Sequence, residues 1–264
     1  MNFAIAVDLE GIAGVVGTPG SGLGKDNTQY AFACLQAVRE VNAAVKALYD
    51  CGAKKVYVWD NHGGSLNLDY FSLDKRVEIL AGVGLKHRWQ GLEDKNIDGV
   101  LLIGYHAMAD TSKAVLAHTC SSTSYQHVKL NNRSVGEIEI DAAMAGIMLH
   151  APLIFVSSDD QAIAQVSQTI PWAKTVITKH SIGRNAALLK HPDTVLDEIY
   201  MQVKQAFKET KGMKLFKIKE PIEVKIRFMR LEEAENAANN KIRKTELVDP
   251  YTIKYTVNHL TEIY

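Results

Sequence analysis

Fully apolar runs of strand length alternate along this chain with stretches of helical spacing. Residues 3–7 (Phe-Ala-Ile-Ala-Val) form the first run and lead straight into Asp8-Leu9-Glu10-Gly11. A run apolar at every position predicts a strand buried on both faces, as in the interior of a parallel sheet. From 28 to 49, the apolar residues Phe32, Leu35, Val38, Val41, Val45 and Leu48 recur at helical spacing, and Cys51-Gly52 predicts the helix end. A strand at 55–59 follows, so the first sixty residues read as a βαβ unit with two parallel strands joined right-handedly. Further strands are predicted at 77–80, 97–105, 153–156 and 175–179. Helices are predicted at 142–150, up to 169 behind the cap Ser157-Ser158-Asp159-Asp160, and at 193–208. Residues 128–141 read as a hairpin, with Asn131-Asn132 as the turn and 135–140 alternating. Ser181-Ile182-Gly183-Arg184 is expected to lead into another helix. Beyond Lys219-Glu220-Pro221 the pattern changes to a half-exposed strand at 222–228, a short acidic helix at 231–239, a strand within 248–257 and a short amphipathic end. The expected architecture is a three-layer α/β/α arrangement with a mostly parallel sheet and a second, intertwined or C-terminal mixed α/β part. The division expected is a larger region at 1–218 and an α+β segment at 219–264 packed on it, with one intertwined unit as the alternative.

Composition narrows the class without changing this picture. The chain has 264 residues, 47% hydrophobic and 23% charged, the proportions of a globular protein with a substantial core. Thirty basic residues balance thirty acidic ones, so no charge footprint for nucleic acid or an anionic membrane is present, and neither is expected as a partner. No apolar stretch approaches the roughly 20 residues that span a bilayer. The N-terminal run lacks a basic flank and is cut by Asp8, so a signal peptide is not expected. Cys34, Cys51 and Cys120 form neither a disulfide framework nor a metal knuckle, which fits a reducing, cytoplasmic setting.

The chemistry lies where the strands end. Side chains alternate faces along a strand, so Asp8 and Glu10 point the same way. Ligand sites in open α/β sheets form beyond the carboxyl ends of the strands. Two acids placed there repel unless a cation sits between them or one takes up a proton. The same handover recurs at Trp59 to Asp60 and His62, at Tyr105 to His106, and at Ala117 to His118, with Glu137 on the alternating stretch nearby. Two histidines and three carboxylates on one rim suit a pair of divalent ions. Zinc takes imidazole nitrogen and carboxylate oxygen, and a carboxylate such as Asp8 has two oxygens with which to bridge two ions. A metal pair lowers the pKa of water and polarises a carbonyl, which is the apparatus of metal-assisted hydrolysis. His87, His127, His150, His180, His191 and His259 follow no strand end and are expected to be structural or solvated. Cys120 has no base or electropositive setting legible beside it, and no nucleotide-binding glycine motif follows a strand.

Taken together, these segments resemble the D-aminopeptidase family first described as a dipeptide-transport protein, peptidase family M55. The likeness rests on Val7-Asp8-Leu9-Glu10-Gly11-Ile12-Ala13-Gly14, Trp59-Asp60-Asn61-His62, Leu102-Ile103-Gly104-Tyr105-His106-Ala107, Leu116-Ala117-His118-Thr119 and Val135-Gly136-Glu137. Ser158-Asp159-Asp160 and Lys179-His180-Ser181-Ile182-Gly183-Arg184 add to it downstream, and only the part after Pro221 matches loosely. The resemblance implies two zinc ions per chain, with Asp8 as the bridging ligand, Glu10 and His106 on one ion, and His62 and Glu137 on the other. It implies that His118 is the catalytic residue, described in the family as a nucleophile; on chemical grounds a proton shuttle to the leaving amine or an oxyanion stabiliser is equally open. One departure stands out: Glu139 puts a second acid on the predicted strand face of Glu137. The implied substrate is a short peptide with an N-terminal D-residue. The implied assembly is a homo-oligomer, a ring-shaped decamer enclosing its active sites, whose entrance the glycine-rich loop at 14–24 would line. Two rival functions remain open on the sequence. A dinuclear metallophosphoesterase lacks its Gly-Asn-His-(Glu/Asp) and Gly-His-x-His stretches here. A non-catalytic peptide-binding component of a transport system would bind peptides without turnover.

Overall fold

The computed structural model describes residues 1–20, 22–240 and 243–263. In chain order, β1 (Asn2–Val7), α1 (Tyr30–Asp50), β2 (Lys55–Asp60), β3 (Glu78–Leu80) and β4 (Ile97–Ile103) come first. Then follow β5 (Tyr125–Leu130), β6 (Arg133–Ser134), α2 (Glu137–Met148), β7 (Leu153–Asp159), α3 (Asp160–Thr169), β8 (Lys174–Gly183), β9 (Ala186–Leu189) and α4 (Pro192–Glu209). The chain closes with β10 (Ile222–Phe228), α5 (Leu231–Ala238), β11 (Glu246–Asp249) and β12 (Thr252–Val257). Two sheets result. The larger has the order β3-β2-β1-β4-β7-β8-β9, and every pairing in it is parallel except β8 with β9. The smaller, β11-β12-β10-β5-β6, is antiparallel and takes strands from both sides of Pro221.

Alternation along β1 organises the layers. Phe3, Ile5 and Val7 face a core shared with Val38, Val41 and Val45 of α1 and Val195, Ile199 and Val203 of α4. Ala4 and Ala6 face the opposite core, which holds Met144 of α2, Ile163 and Val166 of α3, and Val128, Ile222 and Val224 of the second sheet. The strand is therefore buried on both faces, as its unbroken apolar run requires. Each large apolar side chain removed from water contributes about 1.5–3 kcal/mol, so these two cores outweigh the surface ion pairs, worth about 0–1 kcal/mol each. Among the described residues no helix is long and apolar enough to cross a membrane.

Three stretches differ from the sequence expectation. The apolar run 114–117 before His118 is turn and loop rather than a strand. Residues 135–140 are not a strand: Glu137 is the first residue of α2, and Gly136 is its extended N-cap. Every position of α2 from Glu137 to Ala145 is buried. A helix buried all round has no polar face, so its pattern carries no helical period and Glu-Ile-Glu-Ile mimics a strand. Nor does Ser181-Ile182-Gly183-Arg184 start a helix. β8 runs on to Gly183 and turns into the antiparallel β9, and the Ser181 N–H bonds to Asp160 Oδ1 at 2.8 Å. That extension is set by pairing with β9, a tertiary choice that local propensity does not carry.

Candidate metal centre

The strand ends meet because β1 sits at the point where the strand order turns back, with β2 on one side and β4 on the other. In register, Val7 lies opposite Asp60 of β2 and Ile103 of β4, so Asp8, His62 and His106 all follow at one level. The loops leaving β1 and β4 are laced together: the Asp8 N–H donates to Ile103 O at 2.9 Å and the Gly11 N–H to Gly104 O at 2.7 Å. This approach admits no side chain. A Cβ on Gly11 would lie 1.8 Å from Tyr105 O, and one on Gly104, whose φ is +73°, would lie 2.3 Å from Asp8 O.

Asp8, Glu10, His62, His118 and Glu137 line one cavity of about 360 Å³, with His106 buried behind it. All six sequence-predicted residues are thus brought together. Asp8 divides its oxygens: Oδ1 is 2.8 Å from His62 Nδ1 and Oδ2 is 3.4 Å from His106 Nε2. Glu10 Oε2 lies 3.2 Å from His62 Nδ1, and Glu137 Oε1 lies 3.4 Å from His106 Nε2 and 3.8 Å from His118 Nε2. The imidazoles of His106 and His118 stack with centroids 3.8 Å apart.

Each histidine is also oriented from behind. His62 Nε2 donates to Leu23 O at 2.7 Å, His106 Nδ1 to Ala107 O at 2.9 Å and His118 Nδ1 to Leu116 O at 2.9 Å. A carbonyl only accepts, so these contacts fix the proton on the rear nitrogen and leave the front nitrogen facing the carboxylates. That is the arrangement of metal-ligating histidines. Leu23 belongs to the glycine-rich loop at 14–24, whose tip therefore reaches the centre; Ser21 of that loop lies outside the described residues.

The electrostatics call for positive charge. Burial opposes a charge on His62, yet Glu10 and Asp8 outweigh it and lift its pKa to about 12. His106, wholly enclosed, is raised to about 10 by Glu137, Asp8 and Glu10 against the same penalty. Burial would raise Glu137, but His106 and Arg88 bring it down to about 2; His62 likewise holds Glu10 well below the carboxylate range despite burial. Two buried atoms, Glu10 Oε2 and His106 Nε2, lack a hydrogen-bond partner. Asp8, Glu10 and His106 place three ligand atoms within 4.8 Å of one another, and so do His106, His118 and Glu137. An N/O donor set with orphaned, inward-facing atoms fits zinc.

Several supporting residues escaped the sequence reading. Lys179, wholly buried at the end of the predicted strand 175–179, donates to the carbonyls of Glu10, Ile12 and Val15 at 2.6, 2.8 and 2.7 Å. Burial lowers its pKa to about 8. A basic residue ending an apolar strand was the available signal. Arg88 grips Asp141 through Nε–Oδ1 at 2.5 Å and Nη2–Oδ2 at 2.6 Å, lies over the Trp59 ring and approaches Glu137 Oε2 at 3.7 Å. Asp141 also accepts from the Tyr105 hydroxyl, which itself accepts from Asn61 Nδ2 at 2.7 Å. Nothing in the spacing of Arg88 announces this. Asp60, at a strand end like the others, turns away to hold the backbone N–H groups of Asn67 and Leu68 at 2.7 and 3.0 Å. Glu139, the apparent competitor of Glu137, caps the helix instead, its Oε2 accepting the Gly136 N–H at 2.9 Å.

Comparison with known proteins supplies the family. A D-aminopeptidase of Bacillus subtilis (strain 168) is 31% identical over 193 residues, which span 73% of this chain and 68% of that protein. The structure of the Zn-dependent D-aminopeptidase DppA from Bacillus subtilis, described as a self-compartmentalizing protease, matches with a TM-score of 0.90 at 25% identity, covering 99% of this chain and 93% of that one. Residues 1–264 match the family of D-aminopeptidases as a whole. By fold, by strand-end chemistry and by sequence across its length, the chain belongs to the D-aminopeptidase family, peptidase family M55.

Proposed function

We propose that this chain is a binuclear zinc aminopeptidase acting on short peptides with an N-terminal D-residue, D-alanyl peptides from cell-wall turnover being the expected class. Asp8, Glu10, His62, His106 and Glu137 would hold the two ions between them, with Asp8 shared. The single observation that carries this reading is the division of Asp8, whose two oxygens face two different imidazoles, each backed by a carbonyl. Zinc, when bound, supplies Lewis acidity that activates water and polarises the scissile carbonyl.

The protein's own groups do the rest. The acids of the cavity attract the free amine of the substrate. His118, with its rear nitrogen tied to Leu116 O, presents Nε2 to the cavity beside Glu137, where it takes up a proton and returns it to the leaving amine. Gly22, Leu23 and Gly24 wall one side of the cavity and restrict access to slender substrates. The Bacillus subtilis structure is described as self-compartmentalizing; a homo-oligomer enclosing its sites, a ring-shaped decamer on the family resemblance, would admit only short peptides.

The test is turnover with metal counting. Zinc-loaded protein should release D-alanine from D-alanyl dipeptides in preference to their L-counterparts, lose activity to a chelator and regain it with zinc, and carry two ions per chain. His118→Ala should keep both ions and lose roughly 10²–10⁴ in kcat, the scale of general acid–base catalysis. Phosphate release from p-nitrophenyl phosphate without peptide cleavage would favour the phosphoesterase, and tight peptide binding without turnover a transport component.

A further inference from the structure

The metal cavity has a neighbour. A second cavity of about 270 Å³ is walled by Trp59, Leu85, Lys86 and His87, and it shares Asn61, Gly63 and Arg88 with the metal cavity. The two compartments therefore meet at Arg88. Their charges are opposite in kind. The metal cavity is lined by Asp8, Glu10 and Glu137, whereas among the described residues lining the second cavity there is no carboxylate and three consecutive residues are basic or imidazole. Arg88 is held rigid by its paired bonds to Asp141 and by the Trp59 face, and its Nη2 stands 3.7 Å from Glu137 Oε2. Lys86 also lines this cavity and is exposed to solvent.

A dipeptide is a zwitterion with its ends about two residues apart, roughly 7 Å when extended. A peptide with its amine among the acids and its scissile carbonyl at the ligand cluster can extend its second residue past Arg88, where the two cavities share a wall. We propose that the Lys86–His87–Arg88 cavity is the leaving-group subsite and that it recognises the free α-carboxylate of a dipeptide. This rests on the aminopeptidase reading and deepens it: the enzyme selects peptides by the charge of both ends, and the basic wall fixes which way round the peptide lies.

The experiment compares D-alanyl-D-alanine with D-alanyl-D-alaninamide on the zinc-loaded full chain. The two substrates differ only in the terminal charge. Wild type should favour the acid by about tenfold or more in kcat/KM, the scale of one charge-assisted hydrogen bond, mainly through KM. Lys86→Ala should shrink that ratio severalfold, and Lys86→Glu should abolish or invert it. Equal cleavage of acid and amide by wild type, or a ratio untouched by Lys86→Glu, would overturn the subsite while leaving the aminopeptidase standing. Cleavage of neither substrate would instead reject the peptidase reading and the subsite with it.

Discussion

Individual side chains here are placed where burial and neighbouring charges displace their ordinary ionisation, and the effect reaches beyond the candidate metal centre. Glu40 of α1 is wholly buried, and its Oε1 accepts the Ala13 N–H at 2.9 Å, so it anchors the loop that carries Glu10. Burial lifts its carboxyl from 4.5 to about 7, against smaller opposing pulls from the Ala13 N–H, Gln36 and Lys179. Between pH 4.5 and 7 the folded chain thus keeps a proton that the unfolded chain has released. The associated stability is present below that window and lost as pH rises through it. Glu40→Gln keeps the acceptor and cannot ionise. Its unfolding midpoint should match wild type near pH 4.5 and exceed it by pH 8, by an amount worth on the order of 3 kcal/mol. Parallel curves across that range would mean that Glu40 is not strained by its charge. At this scale the candidate ligand types are legible in the sequence, because acids and histidines placed after apolar runs are conspicuous. Arg88 and Lys179 are not, since their partners lie 53 and up to 169 residues away.

Among the elements, the decisive feature is the seam between the loops following β1 and β4. Only glycine fits at Gly104, because a Cβ would overlap Asp8 O and the backbone there is left-handed. Gly104→Ala should cost roughly 2–4 kcal/mol, through left-handed strain plus overlap, and should lower bound zinc by displacing Asp8. Gly52→Ala is the control. Gly52 also has a positive φ, but nothing lies within 4 Å of its Cβ position, so only the strain applies and zinc content should hold. Thermal unfolding and metal analysis of the pair distinguish the two effects; equal zinc loss in both would show that the seam does not set the ligands. Sequence pattern found β1, α1, β2 and α4 because each has one clear burial regime. It misread α2, whose uniform burial erases the helical period, and with it the setting of Glu137: that acid begins a helix, where the N-terminal dipole favours its negative charge.

The whole molecule is held together by a core that both sheets share. Val128 and Leu130 of β5 pack in the same cluster as Ile222 and Val224 of β10 and as Ile138, Ile140 and Met144 of α2. α2 starts at Glu137, so the second sheet braces the helix that presents a proposed ligand. Removing residues 219–264 would strip β10, β11 and β12 from β5 and bare this apolar surface. The chain ending at residue 218 should be insoluble or molten and bind no zinc. A soluble 1–218 fragment with native zinc content and a cooperative thermal transition would show that the second sheet is an accessory. The composition change at Pro221 is real in sequence, but the strands on its two sides hydrogen-bond to each other in one sheet.

The amino-acid order by itself determined the periodicities, and through them the alternating α/β architecture, the buried central strand and the set of acids and histidines that follow apolar runs. Local chemistry suffices for these, because burial pattern and turn residues act over a few positions. The tertiary structure alone decided which strand ends stand side by side, where Asp8 aims each oxygen, that Glu137 opens a helix while Glu139 caps it, and that a basic cavity adjoins the acidic one. Those outcomes depend on register, close backbone approach and charge pairing between residues distant along the chain, none of which any short window of sequence contains.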